Sequence, residues 1–198
     1  LLAELREVLG PRGLITDPDR LLVYESDGLT IHRWTPAAVA LPQDTVQVAQ
    51  VVQLLAAEGV PVVPRGAGTG LSGGALGGEG TVVVATSRMN RILEVDPENL
   101  RAVVQPGVIN AHLSEATRSF GLHYAPDPSS QSACTIGGNV AENSGGPHCL
   151  KYGVTSRYVT GLTVVLSDGG VARLGGMGRE APGPDLLGAF VGSEGCYG

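Results

Sequence analysis

The sequence predicts an α+β chain of two lobes, a small and partly parallel α/β lobe followed by a lobe of mainly antiparallel strands. Three observations carry this expectation. Between residues 37 and 85 apolar runs and a helical pattern follow in the order strand, helix, strand, loop, strand, an order that gives parallel neighbours joined by crossovers. Past Asp96-Pro97 the pattern changes to short strands that close on one another across turn residues. Glycine, at 30 of 198 residues, is about double its roughly 7% usual share and clusters without a fixed period, which marks loops and not a fibre.

Taken in order, Leu1, Leu2, Leu5, Val8 and Leu9 share one helical face, and Gly10-Pro11 stops that helix. The stretch on to Pro36 is polar and irregular, with Trp34 expected as its anchor. Residues 1–34 are thus an N-terminal helix and irregular segment, and 35–198 the main domain, split into lobe one at about 35–95 and lobe two at about 96–198. In lobe one, residues 37–41 read as a short buried strand. Asp44 or Thr45 caps a helix that ends at Gly59, with Val48, Val51, Val52 and Leu55 inward. Residues 60–64 and 81–85 are the remaining strands. In lobe two, residues 101–105 and 158–167 read as strands, and 171–174 pairs with the second across Ser167-Asp168-Gly169-Gly170. Residues 110–120 read as a helix with Leu113, Ala116 and Thr117 inward and Gly121 as its stop. There are no internal repeats.

Composition removes several function classes. A net charge of −6 argues against nucleic acid or an anionic membrane as general partner. Aromatic residues, at 4%, are too few to stack bases along a groove. No apolar run approaches the ~18 residues of a transmembrane segment. Cys134, Cys149 and Cys196 make an odd count with no Cys-x-x-Cys pair. Free thiols in a reducing compartment, and so a cytoplasmic protein, are expected, with a Cys134–Cys149 disulfide as the weaker alternative. His32, His112, His123 and His148 lack metal-ligand spacing, and no Ser/His/Asp arrangement can be argued. The chain starts at Leu1 and stops just after a glycine-rich turn, so both ends read as cut from something longer.

Two glycine-dense stretches carry the functional signal. The first is Arg65-Gly66-Ala67-Gly68-Thr69-Gly70-Leu71-Ser72-Gly73-Gly74, and the second runs from Ile136-Gly137-Gly138-Asn139 to Asn143-Ser144-Gly145-Gly146. Without a Cβ, backbone N–H groups can approach a ligand closely, and consecutive ones form anion-binding concavities. Gly68–Gly73 spells G-x-G-x-x-G after a strand, yet the dinucleotide fingerprint needs a helix to open there. Gly74-Ala75-Leu76-Gly77-Gly78-Glu79-Gly80 will not propagate one. A phosphate-binding P-loop fails as well, because no Lys-Ser or Lys-Thr follows. What remains is a free-standing loop whose N–H groups, with the Thr69 and Ser72 hydroxyls, wrap an anion. Arg65 either ties this loop to the protein or touches phosphate.

The approach to the second stretch, Tyr124-Ala125-Pro126-Asp127-Pro128-Ser129-Ser130, is braced by prolines and presents two hydroxyls. Gly137 and Gly138 allow close backbone approach. Asn139 and Asn143 carry a donor and an acceptor each, suited to a flavin edge, or shape the loop through αL backbone. Glu142 and Cys149 read as structural.

These motifs, with Lys151-Tyr152-Gly153 and Gly192-Ser193-Glu194-Gly195, resemble in order those of the FAD-binding domain of the vanillyl-alcohol-oxidase/PCMH superfamily. The branch they resemble best is that of the glycolate oxidase subunit and D-lactate dehydrogenase. The resemblance runs from about Thr35 onward. It implies FAD between two α+β lobes, with residues 66–73 holding the pyrophosphate. Asp127, Ser129 and Ser130, with Gly137, Gly138, Asn143, Ser144 and Gly145, would line the adenosine-diphosphate and flavin portions. Some relatives attach flavin through a His in the first loop, where this chain has Thr69, so non-covalent FAD is expected. The implied activity is hydride transfer from a small 2-hydroxy acid, the alternatives being a non-catalytic FAD module or another flavoenzyme of the superfamily. The substrate-binding cap domain is expected outside these residues, as a further domain or as companion oxidase subunits through which the protein could sit at a membrane surface. Cys196 and Tyr197 depart from the small polar and aliphatic pair usual there.

Overall fold

The computed structural model describes residues 1–176 and 183–198. Its first lobe is a four-stranded sheet in the order β1 (Leu14–Ile15), β2 (Ala38–Ala40), β4 (Val82–Ala85), β3 (Val62–Arg65). β2, β4 and β3 run parallel, and β1 pairs antiparallel with β2 through Leu14↔Ala40 and Ile15↔Val39. The expected α/β lobe is therefore present. β1 was absent from the expected elements, because two residues carry no readable alternation.

The sheet is covered on both faces, which explains why its strands read as unbroken apolar runs. On one face Ala38, Ala40, Val82 and Val84 pack with Leu5 and Leu9 of α1 (Leu2–Leu9) and with Val51 and Leu55 of α3 (Thr45–Ala57). On the other, Val39, Val83 and Ala85 meet Ile15, Leu41 and Leu21, the last from α2 (Pro18–Leu21). Each such side chain, fully buried, contributes on the order of 2 kcal/mol. Asp44 caps α3 by accepting the Gln47 N–H at 2.9 Å. Val48 and Val52 are only half-buried, and Leu54 packs on the core in their stead. Trp34 does not anchor its segment: it is 49% exposed and stacks on His32.

The second lobe is built from two antiparallel hairpins, β5 (Ile92–Asp96) with β6 (Arg101–Val104) and β7 (Gly161–Val165) with β8 (Val171–Gly175). β5 went unread because a bulge between Ile92 and Glu94 breaks its period. β7 starts later than expected, since residues 155–157 form a 3-10 turn. α4 (Asn110–Thr117) continues through a 3-10 turn to Gly121, whose φ of 72° closes it. Leu113 and Thr117 face inward as expected. Ala116 is exposed, and Asn110 takes the buried position.

The largest correction concerns the second glycine stretch. It is not a loop over its first half but a helix, α5 (Ile136–Glu142). Two glycines cost a helix roughly 1 kcal/mol each. Thr135 offsets part of this as N-cap, its hydroxyl accepting the Gly138 N–H at 3.2 Å. Short helices α6 (Cys149–Tyr152) and α7 (Leu186–Phe190) follow. Cys134, Cys149 and Cys196 are all free thiols.

Candidate functional site

β3 leads straight into the first glycine stretch. Residues 66–81 form the whole crossover back to parallel β4, a role usually filled by a helix. Arg65, at the strand end, is 7% exposed. Its guanidinium donates to the Ala75 carbonyl at 3.0 Å and to the Ser26 carbonyl at 2.8 Å. It lies over the Tyr24 ring and directly beneath Gly68, where any Cβ would strike it. Burial pulls its pKa down, opposed by Tyr24 and Asp27, and an arginine remains cationic at neutral pH after such a shift. Of the two readings of Arg65, the contacts present are ties within the protein.

Along the loop, the Gly73 N–H donates to Asp27 Oδ2 at 3.1 Å. From Ala67 to Ser72 the backbone N–H groups have no partner among the described residues. They lie at a partly exposed surface, together with the Thr69 hydroxyl. The Ser72 hydroxyl donates to Glu142 Oε2 at 3.1 Å. The loop thus offers a row of free donors over a buried cation, which is the arrangement an anion needs.

The loop rests on α5. A Cβ at Gly66 would sit 2.5 Å from Thr135 Oγ1 and 3.6 Å from Gly138 Cα, so this contact is backbone to backbone. A Cβ at Gly70 would meet Glu142 at 3.3 Å. Gly137 is needed on the other side of α5, where a Cβ would lie 2.6 Å from Pro106. The N–H groups of Gly137 and Gly138 are consumed within the fold, by the Pro106 carbonyl and Thr135. The two glycine stretches do share one junction. Their first halves differ in kind, however: the first leaves its donors open and the second uses its own to start a helix.

The remaining expected residues gather beyond α5. Asn143 is the αL C-cap of α5 at φ 50°, and its Oδ1 accepts the Ser156 N–H at 2.9 Å. The Ser144 carbonyl accepts from Thr155 N and Oγ1, at 3.0 and 2.7 Å. A Cβ at Gly145 would press on Cys149 and Val154. Asp127 is paired with His148, whose hydrogen bond holds the carboxyl below its usual range. Ser129 is exposed, and the Ser130 carbonyl closes the turn to Ala133 and Cys134. None of these residues hydrogen-bonds to the first loop among the described residues.

A cleft of about 240 Å³ opens beside the loop. Gly66 and Ala67 form one wall, Ser87 and Asn90 a second, and Gly107, His112 and Thr135 a third. Sequence reasoning did not select Ser87, Asn90 or Gly107; His112, expected at the surface, is exposed and also lines this cleft. The one readable signal was Pro106-Gly107 ahead of a helix, where a Cβ on Gly107 would strike the Thr86 carbonyl.

Close to this region, burial pushes the Tyr124 phenol up to about 12. The unfolded phenol ionises near 10, so stability tied to the neutral form is complete below that pH and is lost as pH rises through about 12. Alkaline titration followed by tyrosinate absorbance should show a late phase at about pH 12, and Tyr124→Phe should abolish that phase. A titration curve left unchanged by Tyr124→Phe above about pH 11 would contradict the burial argument.

Known proteins share both sequence and fold. The chain is 46% identical over 198 residues to "Glycolate oxidase subunit GlcD" of Escherichia coli (strain K12), matching 100% of this chain and 40% of that protein. It is 39% identical over 190 residues to "D-lactate dehydrogenase" of Anaerostipes hadrus, covering 91% of this chain and 40% of the relative. The solved structure of an alkyldihydroxyacetonephosphate synthase superposes with a TM-score of 0.86 at 25% identity, over 98% of this chain and 37% of that one. The chain spans about 40% of the length of these curated relatives. A family model described as "FAD binding domain" matches residues 36–175, a span that holds the open loop, α5 and both hairpins, and the chain belongs to that family.

Proposed function

We propose that this chain is the FAD-binding portion of an oxidoreductase that oxidises a small 2-hydroxy acid of the glycolate or D-lactate type, with FAD held non-covalently. The observation that carries the reading is the row of unpartnered N–H groups from Ala67 to Ser72 over the Arg65 guanidinium. That arrangement fits a diphosphate. Glycine lets the phosphate oxygens approach the backbone, and Arg65 supplies positive charge from beneath in a chain of net charge −6.

In this reading Gly66, Ala67, Gly68, Thr69, Gly70, Ser72 and Gly73 hold the diphosphate. Gly137 serves by letting α5 seat closely on Pro106, and Gly138 lies at the α5 N-terminus that faces Gly66. Asp127, Ser129, Ser130, Asn143, Ser144 and Gly145 line the adenosine and flavin ends. Bound FAD supplies the hydride acceptor, and the protein's share is to bind and orient it. Thr69 brings only a hydroxyl to the loop, which leaves the flavin unattached. The group that takes the substrate hydroxyl proton is assigned to a cap domain or companion oxidase subunits. Cytoplasmic placement, peripheral to a membrane where partner subunits hold it there, completes the proposal; no described helix is long and apolar enough to cross a bilayer.

A second reading, an FAD-binding module that turns nothing over alone, is favoured by the 40% coverage of the relatives. One preparation separates them. Purified protein should be yellow, and acid precipitation should release intact FAD to the supernatant; flavin left in the pellet would contradict non-covalent binding. Free FAD at a hundredfold excess over Kd should stabilise the fold by about 2.7 kcal/mol, or roughly 5–10 °C in Tm for a chain of this size. Colourless protein whose Tm ignores added FAD would sink both readings. Yellow protein that still turns over neither glycolate nor D-lactate when joined to a cap domain or companion subunits would select the second.

A further inference from the structure

The first glycine loop is held in shape by a part of the chain that lies outside the family match, which begins at residue 36. Asp27 is only 7% exposed, although no basic side chain among the described residues lies within ion-pair distance of it. Its Oδ1 accepts the Leu29 N–H at 2.9 Å and the Thr30 N–H at 3.4 Å, which closes a tight local turn. Its Oδ2 reaches 46 positions along the chain to accept the Gly73 N–H at 3.1 Å. On either side of Asp27 the backbone does the same. The Ser26 carbonyl accepts from Arg65 at 2.8 Å, at the start of the loop. The Gly28 N–H donates to the Gly70 carbonyl at 3.0 Å, at its middle. Gly28 itself is wedged in: a Cβ there would lie 2.7 Å from the Thr69 carbonyl and 3.1 Å from that of Gly70.

A glycine-rich crossover has many accessible conformations and no helix to restrict them. Three successive residues of the N-terminal segment fix its start, middle and end. By accepting or donating on the inner side, they turn the carbonyl of Gly70 and the N–H of Gly73 inward. The N–H groups from Ala67 to Ser72 are left without a partner among the described residues. A buried carboxylate is costly unless it is hydrogen-bonded or faces an opposite charge, and Asp27 has three backbone N–H donors and the nearby Arg65 guanidinium to offset that cost. We infer that Ser26-Asp27-Gly28 is a clamp that pre-organises the FAD diphosphate cradle, with Asp27 as a positioning residue and not a ligand. The cofactor half of this inference rests on the function proposed above; the clamp itself does not.

Two substitutions test it through different atoms. Asp27→Asn keeps one acceptor for the local turn but places a donor, or nothing, opposite the Gly73 N–H. Gly28→Ala keeps every hydrogen-bonding group and pushes the Thr69 and Gly70 carbonyls outward. Both are made in the 198-residue chain, and native-state amide exchange is followed by NMR alongside FAD titration. In the unaltered chain the Gly28 and Gly73 amides should be protected with or without FAD. Each variant should lower protection at both amides about tenfold or more, with the amides of β4 unchanged, and weaken FAD binding by roughly tenfold or more. Asp27→Glu should restore part of the protection at Gly73. Unchanged protection at both positions would overturn the clamp, whatever FAD does. Lost protection with unaltered FAD affinity would overturn its link to the cofactor. A chain whose Gly28 and Gly73 amides are protected but which never binds FAD would refute the proposed function and leave the clamp standing.

Discussion

Replacing Gly66 by alanine should weaken FAD binding at least a hundredfold and lower the stability of the cofactor-free chain. The new methyl would sit 2.5 Å from Thr135 Oγ1 and 3.6 Å from the Gly138 backbone. The 3.6 Å contact is ordinary, so the clash falls on the Thr135 hydroxyl, which caps α5. Either the cap is surrendered, at about 1 kcal/mol, or the loop lifts off α5 with overpacking strain of roughly 1–3 kcal/mol. A lift of even ~1 Å takes several N–H donors out of hydrogen-bond range of a diphosphate at once, which is why the effect on affinity exceeds that on folding. Flavin fluorescence titration and a melting curve measure the two. Full FAD affinity in this variant would mean that the loop is not the cradle.

Arg65 gives the second large effect, of the opposite kind. Arg65→Met should destabilise the cofactor-free chain by on the order of 3 kcal/mol, because the Ala75 and Ser26 carbonyls lose a charged donor inside the protein. For a chain of this length that is a fall of roughly 6–12 °C in Tm. Arg65→Lys should recover only part of it, since an ammonium lacks the planar fork that reaches both carbonyls. A guanidinium that served only to touch phosphate would leave the cofactor-free Tm unmoved. The melting curve without FAD therefore decides between the tie and the phosphate contact.

Lobe one was legible because its strands are buried on both faces and so stand out as valine runs, with Asp44 marking the helix start. The crossover was legible as an open loop because glycine density forbids a helix there. The same inference failed at residues 136–142, where glycine means close packing: Gly137 against Pro106 and Gly138 beside the Thr135 hydroxyl. Composition does not distinguish a glycine that frees backbone from one that lets backbones touch. Asp27 and Gly28 were passed over for a related reason. An Asp-Gly pair in a polar stretch reads as a local turn, and only the three-dimensional path brings Gly73 to its carboxylate. Trp34 shows the reverse error, a large apolar residue assigned to a core it does not join.

One consequence follows for biosynthesis from a crossover without its own secondary structure. The sheet beneath it needs only residues up to Ala85, whereas the loop is held by Asp27 before it and by Glu142 well after it. Contacts so distant along the chain form late. A growing polypeptide therefore completes its scaffold before the loop is fully held, and the Ser72–Glu142 hydrogen bond closes only when Glu142 has cleared the ribosome.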